Sequence, residues 1–139
     1  MSFNYLIIPG QSLIALKFTG EITLEDVISG SEKMWGDPEY DKTFNIISDL
    51  SEITARAVPS DVTKLVEFYK RPETSEGSWA MIFSEPKSTA LGFLFRSAAI
   101  IQRRIGVFST WGAACQFLGV DFSEELISGM GFSDSGSLP

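Results

Sequence analysis

The chain has 139 residues, 44% of them hydrophobic, which is enough for one domain with a sizeable core. Its formal net charge is −7, and its 11 lysines and arginines form no long basic tract, so nucleic acid is not an expected partner. There is no histidine and only one cysteine, Cys115. These counts exclude histidine-dependent catalytic triads, imidazole metal sites and intramolecular disulfides.

No apolar stretch approaches the length of a membrane span, and the start, MSFNYLIIPG, has no basic region. These features predict a cytoplasmic protein without stable membrane insertion. The sequence predicts no metal site, because it has no histidine and a single cysteine, and it predicts no cofactor. The Gly-rich stretch 129–136 lacks the Gly-Lys-Ser/Thr ending of a phosphate loop. No acid and base are paired at a useful spacing, which favours a non-enzymatic role.

The first half of the chain begins with two apolar runs, 3–9 and 12–18, whose short connection predicts an antiparallel β-hairpin. Thr23 opens a helix with Asp26 as its capping-box partner, and Gly36-Asp37-Pro38 ends it. Strands and helices then alternate. The predicted strands are 43–50, 79–83 and 105–108; the predicted helices start at Pro59, about Pro86 (to Arg103) and about Thr110 (to Leu118).

This alternation predicts a single α/β domain over residues 1–122, with a mixed sheet and about four helices. The remaining residues, 123–139, are predicted to form a short helix and a flexible tail rich in Gly and Ser.

Three stretches carry a resemblance to a known family: LIALKFTGEITLEDV (13–27), DPEYDKTFNIISDLSEI (37–53) and IGVFSTWGAACQFLG (105–119). In order and spacing they resemble the STAS/SEC14-like group of small bacterial domains, also called SpoIIAA-like. The resemblance implies helices packed on a mixed sheet, and protein interaction or apolar-ligand binding rather than catalysis. Signalling members of the group carry a phosphorylatable Asp-Ser-Ser-Gly, which the matching stretch 57–60 lacks. Ser60 is the nearest hydroxyl, and its position is that of a helix N-cap.

Four polar residues follow the predicted parallel strands. Asp49 and Ser51 lie at the end of the first of these strands, and Ser84 and Ser109 follow the next two. They have two interpretations: they satisfy local backbone groups at turns and helix starts, or they line a ligand site at the carboxyl edge of the sheet. As a ligand site, they would supply the polar groups of an apolar pocket.

The helix predicted from Pro86 has apolar residues on more than one side. Helical spacing predicts a core-facing stripe of Leu91, Leu94, Ala98 and Ile101. The rest of the apolar surface requires cover from the domain itself (including residues 120–127), a second subunit, an apolar ligand or a membrane. The predicted contact surface consists of Phe93, Phe95, Arg96 and Ile100. We therefore expect an interaction module that self-associates as a homodimer or binds a protein partner; the alternative is a carrier or sensor of a small, lipid-like apolar ligand.

Overall fold

The computed structural model describes residues 1–56, 58–99, 104–121 and, for the backbone alone, 136–137. Within these residues the chain forms six strands and four α-helices. The strands are β1 (Ser2–Ile8), β2 (Leu13–Ile22), β3 (Asn45–Ala55), β4 (Trp79–Phe83), β5 (Ile105–Phe108) and β6 (Gly136–Ser137). The helices are α1 (Leu24–Trp35), α2 (Pro59–Phe68), α3 (Pro86–Ala99) and α4 (Trp111–Leu118).

The strands form one mixed sheet in the order β5-β4-β3-β2-β1-β6. β1 and β2 are the predicted antiparallel hairpin, joined by a single 3-10 turn at Pro9–Gln11. β2, β3, β4 and β5 are parallel neighbours, as right-handed strand–helix–strand connections require. The predicted α/β architecture with a mixed sheet is therefore confirmed, although β2 and β3 continue beyond the predicted ends to Ile22 and Ala55.

A bulge interrupts the pairing of β3 with β2. Lys17 lies opposite Asp49, but Thr19 lies opposite Glu52, so β3 contains one extra residue in this interval. Because side chains alternate between the two faces of a strand, the extra residue reverses the alternation beyond it. As a result Leu50 and Ile53 face the same side of the sheet.

The two faces of the sheet are covered by different helices. On one face α1, α2 and α3 pack over a large apolar cluster that includes Phe18, Ile46 and Trp79. On the other face α4 covers a smaller cluster that includes Ala15 and Ile82. Every residue of β4 is buried, as its uninterrupted apolar sequence predicted.

Local sequence signals set the ends of α1 and α4. The Thr23 side chain accepts a hydrogen bond from the Asp26 backbone N–H (3.2 Å), and the Asp26 carboxylate accepts one from the Thr23 N–H (2.9 Å). This is the predicted capping box. Gly119 ends α4 with a φ of 69°, in the left-handed region that glycine adopts at low cost.

The rotation of α3 differs from the prediction. Leu94 is 43% exposed and Ala98 is also exposed, so the predicted stripe does not face the core. Ser88, Gly92, Phe95 and Ala99 are buried instead, while Leu91 is half-buried. The physical reason is close packing: a Cβ on Gly92 would lie 2.3 Å from Cε2 of Phe83. The small side chains of α3 therefore face the sheet, where the helix approaches β4 most closely.

Part of the chain predicted as a tail contributes to the sheet. Gly136 and Ser137 pair in parallel with Leu6 and Ile7 of β1, where a flexible segment was expected. The predicted short helix after residue 122, and Ile100 and Ile101, lie outside the described residues. Among the helices that the structure describes, none combines the length and apolar character needed to cross a membrane.

Candidate functional site

A cavity lies between the sheet and helices α1, α2 and α3. Its volume is about 160 Å³. Its floor comes from the cavity-facing side chains of β2, β3 and β4, and its walls from the three helices. The lining of the floor includes Leu16, Phe18, Ile22, Ile46, Leu50, Ile53, Ala55, Met81 and Phe83, and that of the walls Val27, Met34, Val62, Leu65, Leu91 and Phe95.

Aromatic rings form the wall of the cavity next to α3. Trp79 and Phe95 are stacked with their ring centroids 5.9 Å apart, and Tyr69 meets both rings edge-on. The Tyr69 hydroxyl shares a 2.7 Å hydrogen bond with the Ser31 hydroxyl of α1. This bond joins α2 to α1 across the cavity lining and satisfies two polar groups that would otherwise be costly to bury.

Three polar residues mark one end of the cavity. Thr23 is the N-cap of α1, Asp61 lies in the first turn of α2, and Ser88 lies in the first turn of α3. Each helix follows a parallel strand, so all three residues lie at the carboxyl edge of the sheet, where α/β proteins bind ligands. Thr23 is engaged in its capping box, and the Asp61 carboxylate accepts a 2.9 Å hydrogen bond from the Val58 N–H.

The Ser88 hydroxyl has a different environment. Ser88 is 1% exposed and lines the cavity, and its Oγ has no hydrogen-bond partner among the described residues. A buried hydroxyl without a partner costs about 1–3 kcal/mol. A polar group in this position suits a cavity whose occupant supplies the missing hydrogen bond.

The four residues predicted to bind a ligand at the sheet edge do not line this cavity. Asp49 is 1% exposed and faces the α4 side. Its carboxylate accepts hydrogen bonds from the Ser51 N–H (3.0 Å), the Ser51 hydroxyl (2.6 Å) and the Trp111 indole N–H (3.0 Å). Lys17 lies 3.8 Å from the same carboxylate and 2.5 Å from exposed Glu52. Asp49 thus joins the β3 bulge to α4.

The two remaining hydroxyls have separate surroundings. The Ser84 hydroxyl donates a 2.5 Å hydrogen bond to the Ser51 carbonyl, and so connects the residue after β4 to β3. Ser109 is exposed, and the residue after it, Thr110, is the N-cap of α4. The N-cap of α2 is Val58 and not Ser60, the residue that the sequence had predicted. The Asp61 carboxylate accepts a hydrogen bond from the Val58 N–H at this position. Asp49 and Ser51 bond each other locally, whereas the Trp111–Asp49 and Ser84–Ser51 hydrogen bonds join segments distant in sequence; none of these bonds is a helix cap.

The predicted contact surface on α3 is divided by the structure. Phe93 is 47% exposed and lies beside exposed Leu94. Phe95, in contrast, is 5% exposed and packs on Trp79, so its assignment to the surface is wrong. Arg96 is half-buried and its Nε donates to the Ile105 carbonyl at 3.0 Å, which ties α3 to β5. Ile100 lies outside the described residues.

The sequence did not identify Ser88 as a site residue, nor the other polar and aromatic residues of the lining, such as Thr23, Asp61 and Tyr69. Ser88 occupies the first turn of a helix, where serine is common and carries no signal of ligand binding. Ser88 and Gly92, both small, lie on the buried face of α3 and line the cavity, but their small size alone does not distinguish a cavity lining from close helix packing.

Metal binding finds no support in the described part of the chain, where no three cysteine or acidic side chains converge. The described cavity lining has one acidic side chain, Asp61, and no lysine or arginine. The arrangement can therefore bind an uncharged molecule by exclusion of water from apolar surfaces.

Parallel strands with helices packed on both faces define a small α/β fold with a mixed sheet, and comparison with solved structures identifies which one. The chain is similar to the crystal structure of an uncharacterized protein from the DUF3478 family of Shewanella loihica PV-4, which has a SpoIIAA-like fold. The TM-score is 0.54, the sequence identity 17%, and the match covers 84% of this chain and 94% of that chain. No protein-family model and no curated protein matches the chain.

The chain therefore has a SpoIIAA-like fold, which confirms the resemblance carried by the stretches 13–27, 37–53 and 105–119.

Proposed function

We propose that this protein binds a small apolar molecule in the cavity between the sheet and helices α1–α3, as a non-enzymatic carrier or sensor in the cytoplasm. The observation that carries the proposal is the cavity itself, about 160 Å³ of space lined by apolar and aromatic side chains. The space is partly open to solvent, and an apolar cleft with a few polar groups is the usual form of a small-molecule site.

The volume limits the size of the ligand. An engineered apolar cavity of about 150 Å³ in another protein takes up benzene, whereas pockets for drug-sized ligands span roughly 300–1,000 Å³. A volume of about 160 Å³ suits a single ring or a short branched chain. This favours a compact apolar ligand over a lipid with long acyl chains.

The chemistry of the lining supports binding rather than catalysis. Asp61 is the one acidic side chain of the described lining, which holds no lysine or arginine, and one carboxyl group is not an acid–base pair. Asp61 is also engaged by the Val58 N–H.

Binding is tested first on freshly purified protein by native mass spectrometry, followed by measurement under denaturing conditions. We expect the protein to carry an organic mass that is lost on denaturation. In parallel, toluene is titrated as a probe; at ten times its dissociation constant it should stabilise the protein by about 1.4 kcal/mol.

Two matched variants locate the binding site. Ala55→Leu adds three carbons to the cavity floor and should abolish toluene binding while it leaves the protein folded. Ala98→Leu makes the same chemical change on the exposed side of α3 and should bind toluene like the wild type. Wild-type affinity in the Ala55→Leu variant, or absence of toluene binding in the wild type, would refute the proposal.

A second candidate is self-association through α3, supported by the adjacent exposed side chains of Phe93 and Leu94. Large apolar side chains next to each other on a surface are typical of interaction sites. The double variant Phe93→Asp/Leu94→Asp should then be a folded monomer, while the wild type sediments as a dimer. Equal sedimentation of both proteins would eliminate this candidate.

A further inference from the structure

The Ser88 hydroxyl indicates that the ligand has a hydrogen-bonding group in addition to its apolar part. It is nine-tenths buried or more, lines the cavity, and lacks a hydrogen-bond partner among the residues that the structure describes. Alanine at this position would remove the cost of burying that hydroxyl and would suit a helix better. A ligand that carries one hydrogen-bonding group at this end of the cavity gives the hydroxyl a physical role.

The charge of the lining determines which polar group fits. Neither lysine nor arginine contributes to the described lining, and its one charge is the Asp61 carboxylate in the first turn of α2. An anionic head group would enter the cavity at the end that holds a carboxylate, and the cation beside that end, Lys87, is exposed to water and donates to the Ala55 carbonyl (3.3 Å). The two acidic residues Asp26 and Asp61 also offset the positive N-terminal ends of α1 and α2. A carboxylate or phosphate ligand is therefore disfavoured.

We infer that the ligand is a compact neutral molecule with an apolar body and one oxygen, of the phenol or alcohol class, and that this oxygen hydrogen-bonds the Ser88 hydroxyl. The apolar body lies against Phe83 and Phe95, and the oxygen lies at the carboxyl edge of the sheet. The inference rests on the proposed function and adds to it the orientation and chemical class of the ligand.

The test compares two probes of nearly equal shape, toluene and phenol, which differ by a methyl group and a hydroxyl. Their dissociation constants are measured by calorimetry for the wild type and Ser88→Ala. Loss of one hydrogen bond should raise the dissociation constant of phenol by roughly two- to tenfold. The dissociation constant of toluene should be unchanged or lower, because toluene makes no use of the hydroxyl.

Thr74→Val is the matched control. The Thr74 hydroxyl is also buried without a partner among the described residues, but Thr74 does not line the cavity, so this variant should leave the affinity for phenol unchanged. Ser88→Cys retains the side-chain size with a weaker hydrogen-bonding group and should lie between the wild type and Ser88→Ala.

The outcomes separate the inference from the proposed function. If both probes bind the wild type but Ser88→Ala changes neither or both equally, the inference is overturned and apolar binding stands. If benzoate binds more tightly than phenol, the neutral class is wrong. If neither toluene nor phenol binds the wild type, the proposed function and the inference both fail.

Discussion

Removal of the Asp49 carboxylate should destabilise the protein strongly without affecting the cavity. Three donors point at this carboxylate, and two of them, the Ser51 N–H and the Trp111 indole N–H, are left without an acceptor in Asp49→Ala. The Ser51 hydroxyl can turn toward water because Ser51 is half-buried. Each buried donor left without an acceptor costs about 1–3 kcal/mol, so the loss of both should cost about 2–6 kcal/mol; Lys17 keeps its pairing with Glu52. That is a large share of the roughly 5–15 kcal/mol by which domains are stable.

The measurement is equilibrium unfolding in urea, followed by tryptophan fluorescence and far-ultraviolet circular dichroism, with the slope checked for two-state behaviour. Glu52→Ala is the matched control, because Glu52 pairs with the same Lys17 from an exposed position. It should cost less than about 1 kcal/mol. Asp49→Asn keeps one acceptor oxygen and should lie between the two. Similar losses for Asp49→Ala and Glu52→Ala would refute the assigned role of Asp49.

Asp49 variants also test the face of the sheet to which the site belongs. Asp49 lies on the α4 side, so Asp49→Asn should bind toluene with the wild-type dissociation constant under conditions in which the variant is folded. A clear loss of affinity in the folded variant would return Asp49 to the candidate ligand-binding residues.

Three further predictions follow from single contacts. Burial and the 2.7 Å hydrogen bond to Asp37 raise the pKa of the Tyr5 hydroxyl. Above pH 10 the unfolded chain therefore releases a proton that the folded protein retains, and the free energy of unfolding falls as the pH rises. In urea titrations this loss should be up to about 1.4 kcal/mol per pH unit greater for the wild type than for Tyr5→Phe. Gly92→Ala places a Cβ against the Phe83 ring and should cost about 1–3 kcal/mol, whereas Gly112→Ala, with open space around it, should not destabilise; equal effects would contradict the packing. Gly77→Ala places a Cβ 2.3 Å from the Phe44 carbonyl oxygen, which is backbone and cannot rotate away, so its loss in thermal or urea unfolding should exceed that of Gly92→Ala.

Local signals allowed much of the fold to be predicted from the sequence. Thr23 and Asp26 are three residues apart, and their reciprocal hydrogen bonds depend on nothing outside that turn. The same holds for Gly119, whose left-handed conformation ends α4. The apolar run 79–83 was also interpretable, because a strand covered on both faces has no polar alternation.

The rotation of α3 was not predictable from periodicity, because that method assigns the largest apolar residues to the core. In this helix the close contact with Phe83 requires Gly92 on the inner face, and Leu94 consequently faces outward. The size of one ring on a different strand decides the orientation of the helix. Only the assembled structure contains that information.

The candidate site was partly predictable. An apolar site between the sheet and the helix after Pro86 was among the alternatives, and the cavity lies there. None of the four predicted polar residues lines the cavity, and Asp49 faces α4 instead. Ile53 and Ala55 reach the cavity floor because of the bulge in β3. A bulge depends on the pairing of two strands distant in sequence, so neither strand reveals it alone.

The bulge in β3 lets the two faces of one strand change independently. Without the extra residue, Glu52 and Thr54 would point toward the cavity, and Ile53 and Ala55 would point away from it. With it, the first half of β3 anchors α4 through Asp49, and the second half supplies the floor of the cavity. Substitutions at Ile53 or Ala55 can therefore alter what the protein accommodates while the attachment of α4 is untouched. One strand thus combines the attachment of a helix with a surface whose side chains can be changed separately.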